Sequence, residues 1–134
     1  MDYINLGLPS GTLWSDANEE GYFDFDTAKE KFGDNLPSIE LWKELMENCK
    51  WIWNAEKKGY DVIGKNGNSI FLSANGYQSN TRRYYVGYDG YYWSSSLYTR
   101  DPIYAWNLSF DFNFVGLGYD YRYLGNSVRL VKQK

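Results

Sequence analysis

Histidine is absent from this 134-residue chain, and cysteine occurs once, as Cys49. Without histidine, catalysis would fall to carboxylates, tyrosines or the lone thiol. One cysteine excludes an intramolecular disulfide framework, so the fold stands on packing alone. No apolar run approaches the roughly 20 residues of a membrane span. Met1-Asp2-Tyr3-Ile4-Asn5 has neither the basic nor the apolar region of a signal peptide. The net charge is −3, and no basic run is longer than Lys57-Lys58 or Arg82-Arg83. A nucleic-acid binder normally carries a basic patch, so neither nucleic acid nor membrane insertion is expected. One absence is regional. The first 78 residues hold seventeen Lys, Glu, Gln or Met, whereas the 53 from Ser79 to Val131 hold none. Strands disfavour Lys and Glu, and loops favour Asn, Asp and Gly. Those preferences account for depletion, but less comfortably for complete absence.

Aromatic residues are what the chain has in excess: 20%, as fourteen Tyr, seven Phe and six Trp. So many tyrosines point to a surface as well as a core, because Tyr has a rigid apolar body and a polar tip. Tyr, Ser, Gly and Asn together are the palette of antibody-like binding surfaces. The length fits one domain over residues 1–134, and the hydrophobic fraction of 43% is ordinary for a folded protein.

Tyr3-Ile4-Asn5-Leu6 reads as a strand stopped by Gly7-Leu8-Pro9-Ser10-Gly11, and Thr12-Leu13-Trp14 returns to the core. Asp24 or Thr27 caps a short helix that ends at Gly33, and Thr27 with Glu30 has capping-box spacing. After Pro37, with Ser38 as N-cap, Leu41, Trp42, Leu45, Met46 and Cys49 fall on one helical face. Cys49 on that stripe reads as packing. Strands follow at Trp51–Trp53, Tyr60–Ile63 and Ser69–Leu72, the last two joined by a hairpin turn around Asn66-Gly67. Ala74–Asp89 reads as loop. Tyr91–Ser94 and Ala105–Phe110 read as strands, Asp111–Gly118 as a turn with short flanks, and Asn126–Val131 as the closing strand. Helices early and strands late give an α+β class.

Several segments carry a family resemblance. They are Leu6–Trp14 (LGLPSGTLW), Leu36-Pro37-Ser38, Asn66–Leu72 (NGNSIFL), Gly90–Ser96 (GYYWSSS) and Ser127-Val128-Arg129. With them the chain resembles, over nearly its whole length, the variable proteins of diversity-generating retroelements from gut bacteria and their phages, and related surface-protein domains. The resemblance implies a C-type-lectin-like fold: two helices, a small mixed or antiparallel sheet, and N- and C-terminal strands adjacent. It implies a binding protein without cofactor, whose C-terminal surface is diversified to meet proteins or other structures, glycans included, on another cell. Display at a cell surface, on a virion or in secreted form goes with that role.

The family's mechanism also speaks to the missing residue types. Its retroelement rewrites adenines, mostly in Asn codons, which cannot yield Lys, Glu, Gln, Met or Trp. Residues 94–131 contain none of these five except Trp106, which must then be a fixed position. Trp93, Ser94, Ser95, Ser96, Ala105, Trp106, Leu108, Phe110, Val115, Gly125, Ser127, Val128 and Arg129 become scaffold. The display region, about 97–126, offers Tyr98, Arg100, Asp101, Ile103, Tyr104, Ser109, Asp111, Phe112, Asn113, Phe114, Gly116, Leu117, Gly118, Tyr119, Asp120, Tyr121, Leu124 and Asn126. Phe112, Phe114, Tyr119 and Tyr121 alternate with small or polar residues; exposed together they would form an aromatic patch, buried they would be ordinary strand alternation.

No enzymatic activity is expected. Asp111 and Asp120 could pair as acid and base, but nothing in the sequence fixes their separation. The oxidase branch related to this fold relies on cysteines this chain lacks. No metal is expected either: Asp24-Phe25-Asp26 and Asp111-Phe112-Asn113 offer too few oxygens for Ca²⁺. The glycan-binding motifs of C-type lectins are missing, and Ala55 after Trp53-Asn54 breaks the nearest match. Two other readings stand beside the diversified binder: a lectin, and an undiversified module of a larger surface protein.

Overall fold

The two helices form where the sequence caps them. In the computed structural model, which describes residues 2–133, α1 spans Phe25–Phe32 and α2 spans Ile39–Asn48. The Asp24 carboxylate accepts the Thr27 amide at 2.7 Å and the Ser38 hydroxyl accepts the Leu41 amide at 3.3 Å, each satisfying an orphan donor of the first turn. Asp24 is thus the cap, and Thr27 lies inside the helix. Gly33 closes α1 at φ 52°, a conformation that costs a side chain strain. Trp42 and Leu45 on α2 are wholly buried.

Among the described residues, eleven strands surround them: β1 (Tyr3–Asn5), β2 (Leu13–Ser15), β3 (Lys50–Asn54), β4 (Gly59–Ile63), β5 (Ser69–Ser73), β6 (Tyr77–Ser79), β7 (Arg82–Tyr84), β8 (Gly90–Leu97), β9 (Tyr104–Asp111), β10 (Phe114–Tyr121) and β11 (Val131–Lys132). The class is α+β, with four small antiparallel sheets among the described residues instead of one. Their orders are β1-β2-β11, β3-β4-β5, β6-β7 and β10-β9-β8. The terminal strands share a sheet but are not ladder neighbours: β11 pairs with β2, which separates it from β1, and only the Lys132 ammonium reaches across, 5.1 Å from the centre of the Tyr3 ring. Most of the expected closing strand runs extended without a ladder. Ser127 instead bridges β8 in parallel, exchanging backbone bonds of 2.9 and 3.0 Å with Tyr91 and Trp93. Ala74–Asp89, expected as loop, contains the β6–β7 hairpin, whose Asn80 takes the positive φ of 57° that its turn needs. The β9–β10 turn is tighter than expected. Only Phe112-Asn113 lie between strands of eight residues each.

Serines 94–96 mark a register shift in β8. Ser94 Oγ donates to the Trp106 carbonyl at 2.6 Å, and Ser96 Oγ accepts the Ile39 amide at 3.1 Å. Small hydroxyl side chains thus satisfy backbone groups where the ladder breaks, and seat α2 on the sheet.

Register gives the β8-β9-β10 sheet two faces. One carries Tyr92, Tyr104, Trp106, Leu108, Phe110, Val115, Leu117, Tyr119 and Tyr121; the other carries Tyr91, Trp93, Ala105, Asn107, Ser109, Gly116, Gly118 and Asp120. The first face is covered at its Phe110 end by the main core of Trp14, Trp42, Leu45, Tyr60, Val62 and Leu72. The second is covered at its Ala105 end by a smaller core of Phe25, Ala28, Leu36, Trp93 and Val128. The main core therefore leaves the Tyr121 end of its face bare, while the far end of the second face is covered by Tyr77 and the Phe114 ring.

Candidate functional site

The bare end of the first face is an aromatic shelf. Beyond Leu97 the chain turns through Tyr98–Tyr104, closed by backbone bonds from Asp101 N to Tyr98 O at 3.2 Å and from Tyr104 N to Asp101 O at 3.0 Å. The Asp101 carboxylate accepts the Ile103 amide at 3.3 Å, so Asp101 builds the turn, while Arg100 and Ile103 stand exposed on it. The turn lays Tyr98 flat on Tyr119, ring centroids 4.2 Å apart. Tyr104 stands edge-on to Tyr119 at 5.1 Å and tilted to Tyr121 at 4.7 Å. Trp106 meets Tyr98 at 5.1 Å, and Tyr123 stacks on Tyr121 at 5.3 Å. Six rings are thus in one contact chain. Tyr119, Tyr121 and Tyr123 keep 47%, 40% and 68% of their surface in solvent. The Tyr104 phenol is pushed up to about 12, chiefly by the Tyr121 hydroxyl beside it, so it stays neutral at physiological pH. Arg122 ties the shelf to α1. It pairs with Asp26, donates to the Pro102 carbonyl at 3.0 Å and lies over the Phe25 ring.

Phe112 and Phe114 do not join this shelf. They sit at the β9–β10 turn, seven residues or roughly 23 Å of strand from Tyr121. There the Asp111 carboxylate accepts the Asn113 amide at 2.8 Å, and the Phe114 ring folds over Gly116. Phe112 is 70% exposed and edges a cleft of about 400 Å³ with Trp53, Lys58, Tyr88, Asp89 and Asp111.

The remaining expected display residues divide. Ser109, Gly118 and Asp120 lie on the second face, and Leu124 is half-buried. Three are corrected. Leu117 packs against the main core beside Val115, because the face it belongs to is covered there. Gly116 is buried, its place for a side chain taken by the Phe114 ring. Asn126 is wholly buried: its backbone pairs with Phe23, and its side-chain amide donates to Asp120 at 3.3 Å. Asn107 donates to the same carboxylate oxygen at 2.8 Å. Burial raises the Asp120 carboxyl above its ordinary range, against the lowering effect of those two amides.

Sequence reasoning missed several residues. Trp106, assigned to scaffold, is part of the shelf, as is Tyr123. The β6–β7 hairpin adds Tyr77, stacked on Tyr84 at 5.1 Å and edge-on to Tyr91 at 5.6 Å. A signal existed: the stretch without Lys, Glu, Gln or Met starts at Ser79, well before residue 97.

Asp111 and Asp120 share a face, but their register positions lie at opposite ends of the hairpin, roughly 20 Å apart. That is too far for a carboxylate acid–base pair. Burial, with the neighbouring Glu44 charge, pushes the Cys49 thiol up, the reverse of what activates a nucleophile. Among the described residues, no three His, Cys, Asp or Glu side chains gather as a metal site, and no helix is long and apolar enough to cross a membrane.

No curated protein and no solved structure matches the chain. The family signal covers the last residue of α2 through the first of β11, and with it the shelf, the cleft and the whole β8-β9-β10 sheet. Over residues 48–131 the chain matches the model of DUF8237, a domain of unknown function, and it belongs to that family.

Proposed function

We propose that this protein is a ligand-binding domain of C-type-lectin-like fold, related to the variable proteins of diversity-generating retroelements, which grips a protein on another cell through the aromatic shelf. The observation that carries the reading is the shelf itself: six rings in one contact chain, with Tyr119, Tyr121 and Tyr123 exposed and the other three half-buried. Contiguous exposed aromatic surface of this kind usually marks an interaction site. Aromatic anchors also dominate binding energies at protein interfaces. Mutual packing fixes the rings before a partner arrives, which lowers the ordering cost of association. The two short helices and the terminal strands gathered in one sheet are compatible with the lectin-like topology.

Sequencing the locus across its source population tests the diversification half of this reading. The expected result is variation concentrated at exposed codons such as those of Tyr98, Tyr104, Tyr119 and Tyr121, with Trp106, Gly116 and Asn126 constant. A uniform locus, or changes spread over α1 and α2, would overturn it.

The cleft at the other end of the hairpin favours a second reading, a glycan-binding site. Trp53, Tyr88 and Phe112 supply apolar faces, and Asp89, Asp111 and Lys58 supply acceptors and a donor suited to hydroxyl groups. Titration of hexopyranoses against tryptophan fluorescence checks it. A response lost in Trp53→Ala would support the glycan site, and none at molar sugar would remove it.

A further inference from the structure

On the second face of the β8-β9-β10 sheet, hydrogen-bond acceptors outnumber donors. Asn107 is 1% exposed and Asn126 is wholly buried, and both spend their amide N–H groups on the same Oδ2 of Asp120. That leaves the Oδ1 of Asn107 and the Oδ1 of Asn126 buried without a partner. A buried acceptor without a donor is costly, and native proteins rarely leave one without a reason. Asp120 adds a carboxylate raised by burial, and among the described residues no Lys or Arg forms an ion pair with it. Among the described residues the one ion pair is Arg122 with Asp26, elsewhere on the molecule.

One of the surplus oxygens, Asn107 Oδ1, faces the position of a missing side chain. Gly118 lies opposite Asn107 in the ladder, and a side chain at Gly118 would meet only Asn107 Oδ1, at 3.2 Å, and Ser109 Oγ, at 3.3 Å. The absence of a side chain at Gly118 thus leaves a narrow gap beside an orphaned oxygen, tight even for a Cβ. Tyr91, on the same face, gives its hydroxyl to Asp89 at 2.9 Å, and Tyr77 stands edge-on to its ring at 5.6 Å. Both phenols feel the Asp120 charge, which brings two rings to the neighbourhood of the carboxylate.

We propose that this niche receives a primary ammonium group, presented as a lysine side chain of the protein ligand. The assignment rests on the reading of the chain as a protein-binding domain. Three features select this occupant. The niche holds two orphaned carbonyl oxygens beside a carboxylate, and an ammonium brings three donors and no acceptor. Asp120, with Asp89 beyond Tyr91, gives the niche a negative field that matches a positive charge. The adjacent tyrosine rings suit an organic cation, which attracts aromatic faces. A divalent metal is poorly served, since Ca²⁺ needs six or more oxygens and usually several carboxylates, and among the described residues no three His, Cys, Asp or Glu side chains gather as a metal site.

The test is ¹H–¹⁵N NMR of the intact protein titrated with n-butylammonium, with n-butanol, sodium and calcium as separate probes. The expected result is a saturable shift of the Gly118 amide and of the Asn107 and Asn126 side-chain amides, with an affinity on the order of millimolar. Butanol should bind roughly tenfold more weakly, for want of the charge-assisted bonds. Asp120→Asn should abolish the butylammonium shift. Gly118→Ala, which fills the space while keeping the carboxylate, should do the same if the first variant folds poorly. Tyr119→Ser/Tyr121→Ser should leave the shift intact, which separates the niche from the shelf. No saturable shift, an equal response to butanol, or saturation by sodium or calcium instead would overturn the proposal without touching the shelf.

Discussion

The two ends of the β9–β10 hairpin carry the same kind of side chain on the same face, yet they belong to different parts of the molecule. At one end Leu108, Phe110, Val115 and Leu117 lie under α2 and the rings of Trp53 and Tyr60. At the other, Tyr104, Trp106, Tyr119 and Tyr121 have no core over them and pack on each other and on Tyr98 and Tyr123. The hairpin is continuous and its register unbroken through all eight pairs. What differs is the covering layer, and apolar side chains become core or binding surface according to what lies above them.

The largest effect that separates the ends is on stability. Leu108→Ala removes a wholly buried side chain from the covered end, and should cost about 2–5 kcal/mol in urea unfolding. Tyr121→Ser at the bare end should cost less than about 1 kcal/mol, because much of that ring is already in water. Equal losses would mean that the shelf is simply more core.

Next comes a position where the covered end depends on the absence of a side chain. Gly90 on β8 lies directly beneath the Phe110 ring, which a Cβ would strike. Gly90→Ala should therefore destabilise by about 1–3 kcal/mol through overpacking. Gly67, in the β4–β5 turn, has nothing near its missing side chain, but its φ is 87°. Gly67→Ala thus isolates backbone strain from steric contact, and should cost about 1 kcal/mol. A smaller loss at Gly90 than at Gly67 would contradict the packing argument.

On the binding side, the ordering should reverse. With a target selected from a display panel against the folded protein, Tyr119→Ser or Tyr121→Ser should weaken capture by about 2 kcal/mol, roughly thirtyfold, as expected for central aromatic anchors. Phe112→Ser, at the far end of the hairpin, should change it by less than about 0.5 kcal/mol. If Phe112 mattered more than Tyr119, the contact surface would be the cleft around Trp53, and the glycan reading would gain.

How much of this was legible in the sequence follows from the same contrast. The α2 face, the Ser38 cap and the hairpin around Asn66-Gly67 were readable because each rests on local chemistry: 3.6-residue spacing, an orphan amide, a positive φ. Alternation in β10 was readable too, but not its meaning. Period two says that Leu117, Tyr119 and Tyr121 share a face; it cannot say that α2 stops short of the last two. Phe112 and Phe114 were grouped with them as aromatics alternating with small or polar residues, but Phe114 lies five residues from Tyr119 on the same strand, so period two puts them on opposite faces. Asn126 looked like display, since Asn is mostly exposed; its burial depends on Phe23 and Asp120, which no local pattern connects to it. The β6–β7 hairpin escaped for a related reason. Its strands have three residues each and mix Tyr with Arg, too short for a period to register.

The smallest expected effect concerns the other face, where Asp120 lies among amides and no basic group. Burial holds its folded-state carboxyl above the ordinary value of 3.8. Between that value and the raised one the folded chain binds the proton more readily than the unfolded chain does. Its contribution therefore favours the fold at low pH and is lost as pH rises through that window, opposite in sign to a carboxylate held in an ion pair. The Arg122–Asp26 pair is the internal control, since breaking it should not alter the Asp120 contribution. Urea midpoints measured across the acid range for the natural chain, Asp120→Asn and Asp26→Asn should differ accordingly. Subtracting the Asp120→Asn curve should expose a stability component that declines as pH rises above about 4. A component that rises instead would mean that a cationic group already satisfies Asp120 within the free protein, and the two faces of the sheet would then differ only in shape, not in the charge they offer a ligand.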